Sequence, residues 1–449
     1  MQIRKIKLQN LKLFRDFELD LVDPRTDRPR QWTLVVGKNG RGKSTLLQAI
    51  ALATLGVNQA NSVARGGLRA LRDARDGAGH REVTIEAELA LPALPRPREH
   101  RALPPWGRLL PGARLCSTLS LQPQSNELVG AARWVAPGPT FVDGPDPLVE
   151  ARRLGLPNWF VAGYGVTRSL HGSERAVRSE RPAEDRVAGL FQPYNLIGLG
   201  FTDLVEELGR GTAFRTLMRQ ALLTHAALIP ELSGLELRGR GGLRTTADLL
   251  ERRRFEMTTG GATLKTPPTW LSHGYQASIA WIADLIGQYF LDKGGNVGSY
   301  PRTADLSGLV LIDELDLFLH PEWQAQLIDA LSSTFPNVQF IATTHSPILV
   351  SGRKRAEIVS LELNGRGDVF RPPIEYDPRL LTPGELYRQV LGLHETPPGP
   401  IADKLDDYRT LARDPQRDEA EEAKVYRLRE ELVEAEVSPL PEILPRARG

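Results

Sequence analysis

The stretch that constrains this chain most is Gly37-Lys38-Asn39-Gly40-Arg41-Gly42-Lys43-Ser44-Thr45. A short apolar run, Trp32-Thr33-Leu34-Val35-Val36, leads straight into it, and Leu46-Leu47-Gln48-Ala49-Ile50-Ala51-Leu52-Ala53 follows. The first run reads as a buried strand. The second reads as a buried helix, made of good helix formers with no breaker. Gly-x-x-x-x-Gly-Lys-Ser between a strand and a helix is a complete Walker A pattern. Its glycines let backbone N–H groups curl around phosphates, and the helix N-terminus adds the positive end of a dipole. Lys43 would reach the β- and γ-phosphates, and the Ser44 hydroxyl would bind magnesium. Gly37, Asn39, Gly40, Gly42, Lys43, Ser44 and Thr45 are therefore the candidate ATP contacts, with Mg2+ at Ser44.

Such a loop needs a carboxylate partner for its metal, and the second half of the chain offers one. Gly308-Leu309-Val310-Leu311-Ile312-Asp313-Glu314 reads as a fully buried strand ending in two acids. Val338-Gln339-Phe340-Ile341-Ala342-Thr343-Thr344 reads as a second such strand, and Glu322 to Phe335 as the crossover helix between them. Strand, helix, strand in that order predicts a parallel sheet with a right-handed connection. Ligands bind at the carboxyl edge of such a sheet, where Asp313 stands. Asp313 would hold the magnesium through water. Glu314 would orient or deprotonate an attacking water.

The rest of the chain is less specific. Its 449 residues suggest two or three structural units. With 25% charged and 41% hydrophobic residues the composition is that of a soluble globular protein and excludes a disordered or collagenous chain. A net charge of +2 gives no overall field for nucleic acid or membrane. Of the 57 basic residues 10 are lysine and 47 arginine, which either a GC-rich coding sequence or a nucleic-acid surface would explain. Cys116 is alone, so no internal disulfide framework or Cys-based zinc site is expected, and a reducing cytoplasm fits. No run approaches the roughly 18 apolar residues of a membrane span. The start, Met1 to Leu8, reads as a strand and not a signal segment.

Val83 to Leu89 alternates like a half-buried strand, and Pro92, Pro95, Pro97, Pro104, Pro105 and Pro111 break any long helix around it. Trp159 to Gly165 reads as another strand, and 170–186 as an exposed loop. Leu204, Leu208, Phe214, Leu217 and Leu222 carry helical spacing, and Tyr275 to Asp292 reads as a long apolar helix. Thr382-Pro383-Gly384-Glu385 is a capping box with proline at the first helical position. Val425, Leu428, Leu432 and Ala435 share one face of a charged helix, which either packs on its own domain or docks a partner. No repeat and no sustained heptad run is visible.

The order of these features resembles a known family. Walker A, then Leu271-Ser272-His273-Gly274-Tyr275-Gln276, then the acidic strand, then Thr343-Thr344-His345-Ser346-Pro347 is similar to an ABC-type ATPase with its signature and switch histidine. The opening, Ile3 to Phe17, looks like the first strands of the RecF, Rad50 and SMC branch. Asp313-Glu314-Leu315-Asp316-Leu317-Phe318-Leu319-His320-Pro321 is similar to stand-alone bacterial AAA-type (AAA_21) proteins. Those include the ATPases of Septu-like and retron-linked antiphage systems and relatives of the overcoming-lysogenization nucleases. The motifs cover about residues 1–60 and 268–352.

The resemblance implies an α/β fold, a P-loop NTPase head of the ABC type with a mixed sheet, an inserted helical lobe and a helical C-terminal tail. The expected divisions are 1–184 and 268–375 for the two halves of the head, 185–267 for the lobe and 376–449 for the tail. It implies a dimer of heads with two ATP molecules between them. Lys43, Ser44, Asp313 and Glu314 of one subunit would face Ser272 and Gly274 of the other, with Gln276 counted in the same ATP site. His345 would contact the γ-phosphate from the same subunit as Lys43. Physically, Ser272 and the helix N-terminus behind it suit an anion, and Ser272 is equally a plain N-cap.

Three departures stand out. His320 occupies the place where many ABC proteins carry an aspartate. The Q-loop glutamine is open among Gln122, Gln124 and Gln192. The long coiled coil of SMC and Rad50 proteins is missing. Tyr164-Gly165-Val166-Thr167-Arg168 resembles a segment near the nucleotide, so Arg168 is placed near phosphate or is a strand-end charge.

The 104 residues after His345 are short for an added Toprim nuclease, so an effector nuclease is expected as a separate partner. The reading is an ATP-hydrolysing switch in antiphage defence that regulates such a partner. The alternative is a RecF-like repair ATPase acting on DNA, for which Arg252-Arg253-Arg254 and Arg238 to Arg244 would supply phosphate contacts. A transporter ATPase is disfavoured by the N-terminal strands and the large middle insert.

Overall fold

The computed structural model describes residues 1–65, 67–73, 75, 81–90, 114–135, 141–142, 146–154, 159–168, 183–193, 196, 199, 201–224, 228–238, 253–293, 302–392, 400–415, 417–435, 437 and 442–444. The chain divides into two compact units, Met1–Gly392 and Leu393–Gly449.

Strands that alternate apolar and polar residues bury one face only, and the N-terminal half is built from such strands. β1 (Gln2–Leu11) and β2 (Phe14–Asp20) form an antiparallel hairpin. β3 (Trp32–Val36) runs into the phosphate loop, and α1 (Lys43–Leu55) and α2 (Val57–Ala64) follow. β4 (Val83–Ala90), β5 (Arg114–Leu121), β6 (Val129–Val135) and β7 (Phe141–Val142) extend the hairpin into a six-stranded antiparallel sheet of order β2-β1-β4-β5-β6-β7. In β4 the residues Val83, Ile85, Ala87 and Leu89 are buried, while Thr84, Glu86 and Glu88 face outward. The proline-rich stretch 91–113 lies outside the described residues.

The runs without alternation form the second sheet. After α3 (Pro147–Leu154) comes β8 (Val161–Tyr164), the expected strand before Gly165. Then follow α4 (Phe201–Glu207), α5 (Gly211–Leu223), β9 (Leu232–Leu237), β10 (Arg253–Thr259), β11 (Ala262–Thr266) and α6 (His273–Lys293). The acidic strand is β12 (Ser307–Ile312), followed by α7 (Pro321–Thr334), β13 (Asn337–Thr343), α8 (Pro347–Ser351), β14 (Ile358–Ser360) and α9 (Pro383–Gln389). The five strands β8-β12-β13-β3-β14 pair in parallel, with Tyr164 opposite Ile312 and Ile312 opposite Ala342. Both faces of this sheet are covered. Val35, Val161, Leu309, Leu311 and Ile341 pack toward α1 and the antiparallel sheet. Leu34, Val36, Ala162, Val310, Ile312 and Phe340 pack toward α5, α6 and α7. The first unit is thus a layered α/β head whose parallel sheet joins β3, near the N-terminus, to β8, β12, β13 and β14 of the later sequence. The carboxyl ends of β3, β12 and β13 meet along one edge.

The expectation of a helical lobe over 185–267 is corrected in part. Helices α4 and α5 occupy its first half, but β9, β10 and β11 form a three-stranded antiparallel sheet in the second. Gly260 and Gly261 both have positive φ and make the two-residue turn between β10 and β11. The tail begins later than residue 376: the capping box at Thr382 starts α9, which still belongs to the first unit. In the second unit α10 (Pro400–Arg413) and α11 (Glu419–Glu434) pack through Tyr408, Ala412, Val425, Leu428 and Leu432. The apolar face of α11 is therefore used within its own unit. No helix among the described residues is long and apolar enough to cross a membrane.

Candidate functional site

The loop between β3 and α1 folds as its glycines predict. Gly42 has φ 83°, and a Cβ there would stand 2.7 Å from the Phe14 ring. Gly42→Ala is expected to destabilise the protein by about 1–3 kcal/mol and to weaken nucleotide binding. A denaturant melt and a nucleotide titration measure the two effects. Lys43 turns its ammonium back over the loop, with Nζ donating to the carbonyls of Gly37 at 2.8 Å and Lys38 at 3.1 Å. Burial lowers its pKa, while Asp313, Glu314 and Asp316 pull it back up. Asn39 and Gly40 form the exposed rim, and Thr45 lines the floor beside Ser44.

Asp313 arrives at the end of β12, where its N–H donates to the Tyr164 carbonyl at 2.8 Å. One carboxylate oxygen accepts from Ser44 Oγ at 2.7 Å and the other from Thr343 Oγ1 at 2.5 Å. A hydroxyl and a carboxylate 269 residues apart in sequence thus converge on one point. Hard oxygen donors of this kind suit Mg2+. Glu314 follows with φ 50°, its N–H donating to Thr343 Oγ1 at 2.7 Å. His345 stands across the cleft, half-buried. Burial first and Lys43 second lower its pKa, so the ring is neutral near pH 7. The backbone N–H of His345 donates to Asp316 Oδ1 at 3.3 Å, and Thr344 Oγ1 donates to the same oxygen at 2.6 Å.

Lys43, Ser44, Asp313, Glu314 and His345 line one cleft of about 280 Å3, together with Lys12, Leu13 and Phe14 from the turn between β1 and β2. That turn, Thr343 and Asp316 escape the sequence reading. Positive φ at Asn10 and Lys12 marks the tight turn, but neither residue is glycine. The Thr343-Thr344 pair before His345 was the available signal for the other two.

Ser272, Gly274 and Gln276 do not line this cleft. They sit at the start of α6. Ser272 borders a separate cleft of about 480 Å3 with Tyr275, Phe318, His320 and Trp323. A Cβ on Gly274 would collide with the Phe318 carbonyl, so glycine is required where α6 meets the loop after β12. Gln276 departs from the expectation of an ATP contact. It is buried, and its amide donates to the carbonyls of Leu271 at 2.6 Å and Thr269 at 3.3 Å, bracing the turn that starts α6. His320 caps α7, its Nδ1 accepting from the Glu322 N–H at 3.4 Å.

Arg168 also departs from the phosphate: its guanidinium lies on the carbonyls of Asp313 and Glu314. None of Gln122, Gln124 and Gln192 lines the cleft. The segment leaving β8, the strand beside β12, carries Arg168 instead. Of the arginine clusters, Arg253 is paired with Asp203 at 3.1 Å, and 239–252 lies outside the described residues.

Comparison with known proteins finds the following likenesses. Residues 181–351 match the family AAA_21, described as "AAA domain, putative AbiEii toxin, Type IV TA system". Residues 5–90 match AAA_23, an AAA domain. The chain is 25% identical over 433 residues to the Septu protein PtuA of Bacillus mycoides (strain KBAB4), covering 96% of this chain and 50% of that protein. It is 47% identical over 77 residues to the "Retron Ec83 probable ATPase" of Escherichia coli, covering 17% of this chain and 14% of that one. The chain thus spans about half the length of the first relative and a smaller part of the second. A solved SMC head bound to the C-winged helix domain of ScpA aligns with 84% of this chain and 98% of its own, at 15% identity and a TM-score of 0.46.

Proposed function

We propose, taking the chain as an AAA-type ATPase head of the SMC and Rad50 branch similar to Septu and retron ATPases, that it is an ATP-driven switch. It acts on a separate effector in bacterial antiphage defence. The observation that carries this reading is the cleft where Lys43, Ser44, Asp313, Glu314 and His345 meet, with Ser44 and Asp313 in direct contact.

Backbone N–H groups of the loop and the α1 N-terminus would cradle the phosphates, and Lys43 would neutralise their charge. Ser44 and Asp313 would hold Mg2+, which supplies further charge neutralisation at the β- and γ-oxygens. The Glu314 carboxylate would take a proton from water as the water oxygen bonds to the γ-phosphorus. The bond from that phosphorus to the bridging oxygen breaks, giving ADP and phosphate. His345, neutral and facing the same space, would donate a hydrogen bond to the γ-phosphate.

Ser272 lies at a different cleft from Lys43, and Gly274 lines neither, which supports an ATP site completed by a second copy. Bound ATP would then join two heads, and loss of the γ-phosphate would release them. That change of state is what an effector nuclease would read.

The test is affinity purification of the Glu314→Gln protein from its native cells with ATP and magnesium. A stoichiometric nuclease identified by mass spectrometry is the expected result. No protein partner, with nucleic acid retained instead, would replace this reading by a repair ATPase acting on DNA.

A further inference from the structure

Glu314 occupies the left-handed backbone region, with φ 50°. A non-glycine residue stays there only where its surroundings hold it. Two groups do so. Thr343 Oγ1 accepts from the Glu314 N–H at 2.7 Å, and Arg168 Nη2 donates to the Glu314 carbonyl at 2.6 Å. Arg168 Nη1 donates to the preceding carbonyl, that of Asp313, at 2.5 Å. One rigid planar fork thus takes two successive carbonyls, each on its own nitrogen, whereas an ammonium would have to serve both from a single rotating point.

The backbone delivers Arg168 to this point. β8 pairs with β12 up to Tyr164 and Ile312, and the Asp313 N–H closes on the Tyr164 carbonyl. Four residues later the chain reaches the loop after β12. Arg168 is only 6% exposed. Its burial pulls the guanidinium pKa down to about 10, against the raising influence of Asp313, Asp316 and Glu314, so it remains charged near pH 7. Burying a cation is costly unless its donors and charge are used. Here the donors are used on the main chain of the two acidic residues, and the charge faces three carboxylates.

We propose that Arg168 is a positioning residue for ATP hydrolysis. It fixes the Asp313 and Glu314 peptides so that the Glu314 carboxylate is held toward the phosphate loop. Its permanent charge offsets the carboxylates gathered there. It acts through Glu314 and not on phosphate. The proposal rests on the hydrolytic reading above.

The experiment compares wild type, Lys43→Ala, Arg168→Ala and Arg168→Lys for ATP affinity and for kcat, with a thermal melt of each. Misplacement of a reacting group by about 1 Å lowers turnover by roughly 100-fold. For Arg168→Ala we expect kcat to fall by about that factor while the Kd for ATP stays within about 3-fold. Arg168→Lys keeps the charge but loses the two-nitrogen fork that fixes both peptides in one plane, so its kcat should fall between those of wild type and Arg168→Ala. Should Arg168→Ala not fold, the lysine variant alone must show a kcat loss without a Kd change. Wild-type kcat in the folded variants, or equal losses of affinity and turnover, overturns the proposal. If wild type turns over no faster than Lys43→Ala, the hydrolytic reading itself fails and this proposal falls with it.

Discussion

Lys43→Ala is expected to remove nucleotide binding while leaving the fold intact. The ammonium is nearly buried, and its hydrogen bonds go to the carbonyls of Gly37 and Lys38. Lys43 itself lines the cleft, so removing its side chain opens both carbonyls to the water that enters there. Burial already opposes the charged form of Lys43, so its loss also relieves a desolvation burden. The melting temperature should therefore move by only about 1–3 °C. Binding is another matter. Removing the charged partner of a desolvated phosphate costs about 2–5 kcal/mol. That corresponds to roughly 30-fold to several thousand-fold in Kd. Titration with a fluorescent ATP analogue measures it. Wild-type affinity in this variant would show that the loop does not bind phosphate.

Glu314→Gln should separate binding from chemistry. Glutamine keeps the size of the side chain. The unusual backbone at this position is held through main-chain groups, by Thr343 on one side and Arg168 on the other, so it survives the change. What is lost is the ability to accept a proton from water. Loss of a positioned general base lowers turnover by about 100- to 10,000-fold. The Kd for ATP should stay within a few-fold of wild type. A single-turnover experiment quenched with acid should recover the bound nucleotide as ATP. Recovery as ADP at the wild-type rate would mean that another group activates the water.

The parts of this site that were legible in the sequence are those whose chemistry is local. Gly37 to Thr45 is contiguous, and its flanking strand and helix are apolar runs of the right length. Asp313 and Glu314 follow four apolar residues, which fixes their place at a strand end. What could not be read depends on contacts between distant backbones. Arg168 finds its partners 145 and 146 residues away, and they are carbonyl oxygens, which carry no residue identity. The left-handed Glu314 has no glycine to announce it. Lys12 and Phe14 come over the loop because β1 pairs with β2 and β4, and Phe14 then needs Gly42 beneath it. The sheet at 232–266 is different. Gly260-Gly261 between two short runs is a hairpin signal by itself, and the helical expectation passed over it. Gln276 followed the motif into an expected ligand role, whereas its burial ties it to the turn before α6.

A switch built on paired heads makes one demand that a simple nucleotide-binding protein does not, namely that ATP changes the mass of the particle. The deciding measurement is the solution mass of Glu314→Gln by light scattering or sedimentation, with and without ATP and magnesium. One chain weighs 49.7 kDa. ATP should raise the mass by at least one further chain, and the Lys43→Ala, Glu314→Gln double variant should not respond. An unchanged mass in the presence of bound, unhydrolysed ATP would contradict the paired-head switch.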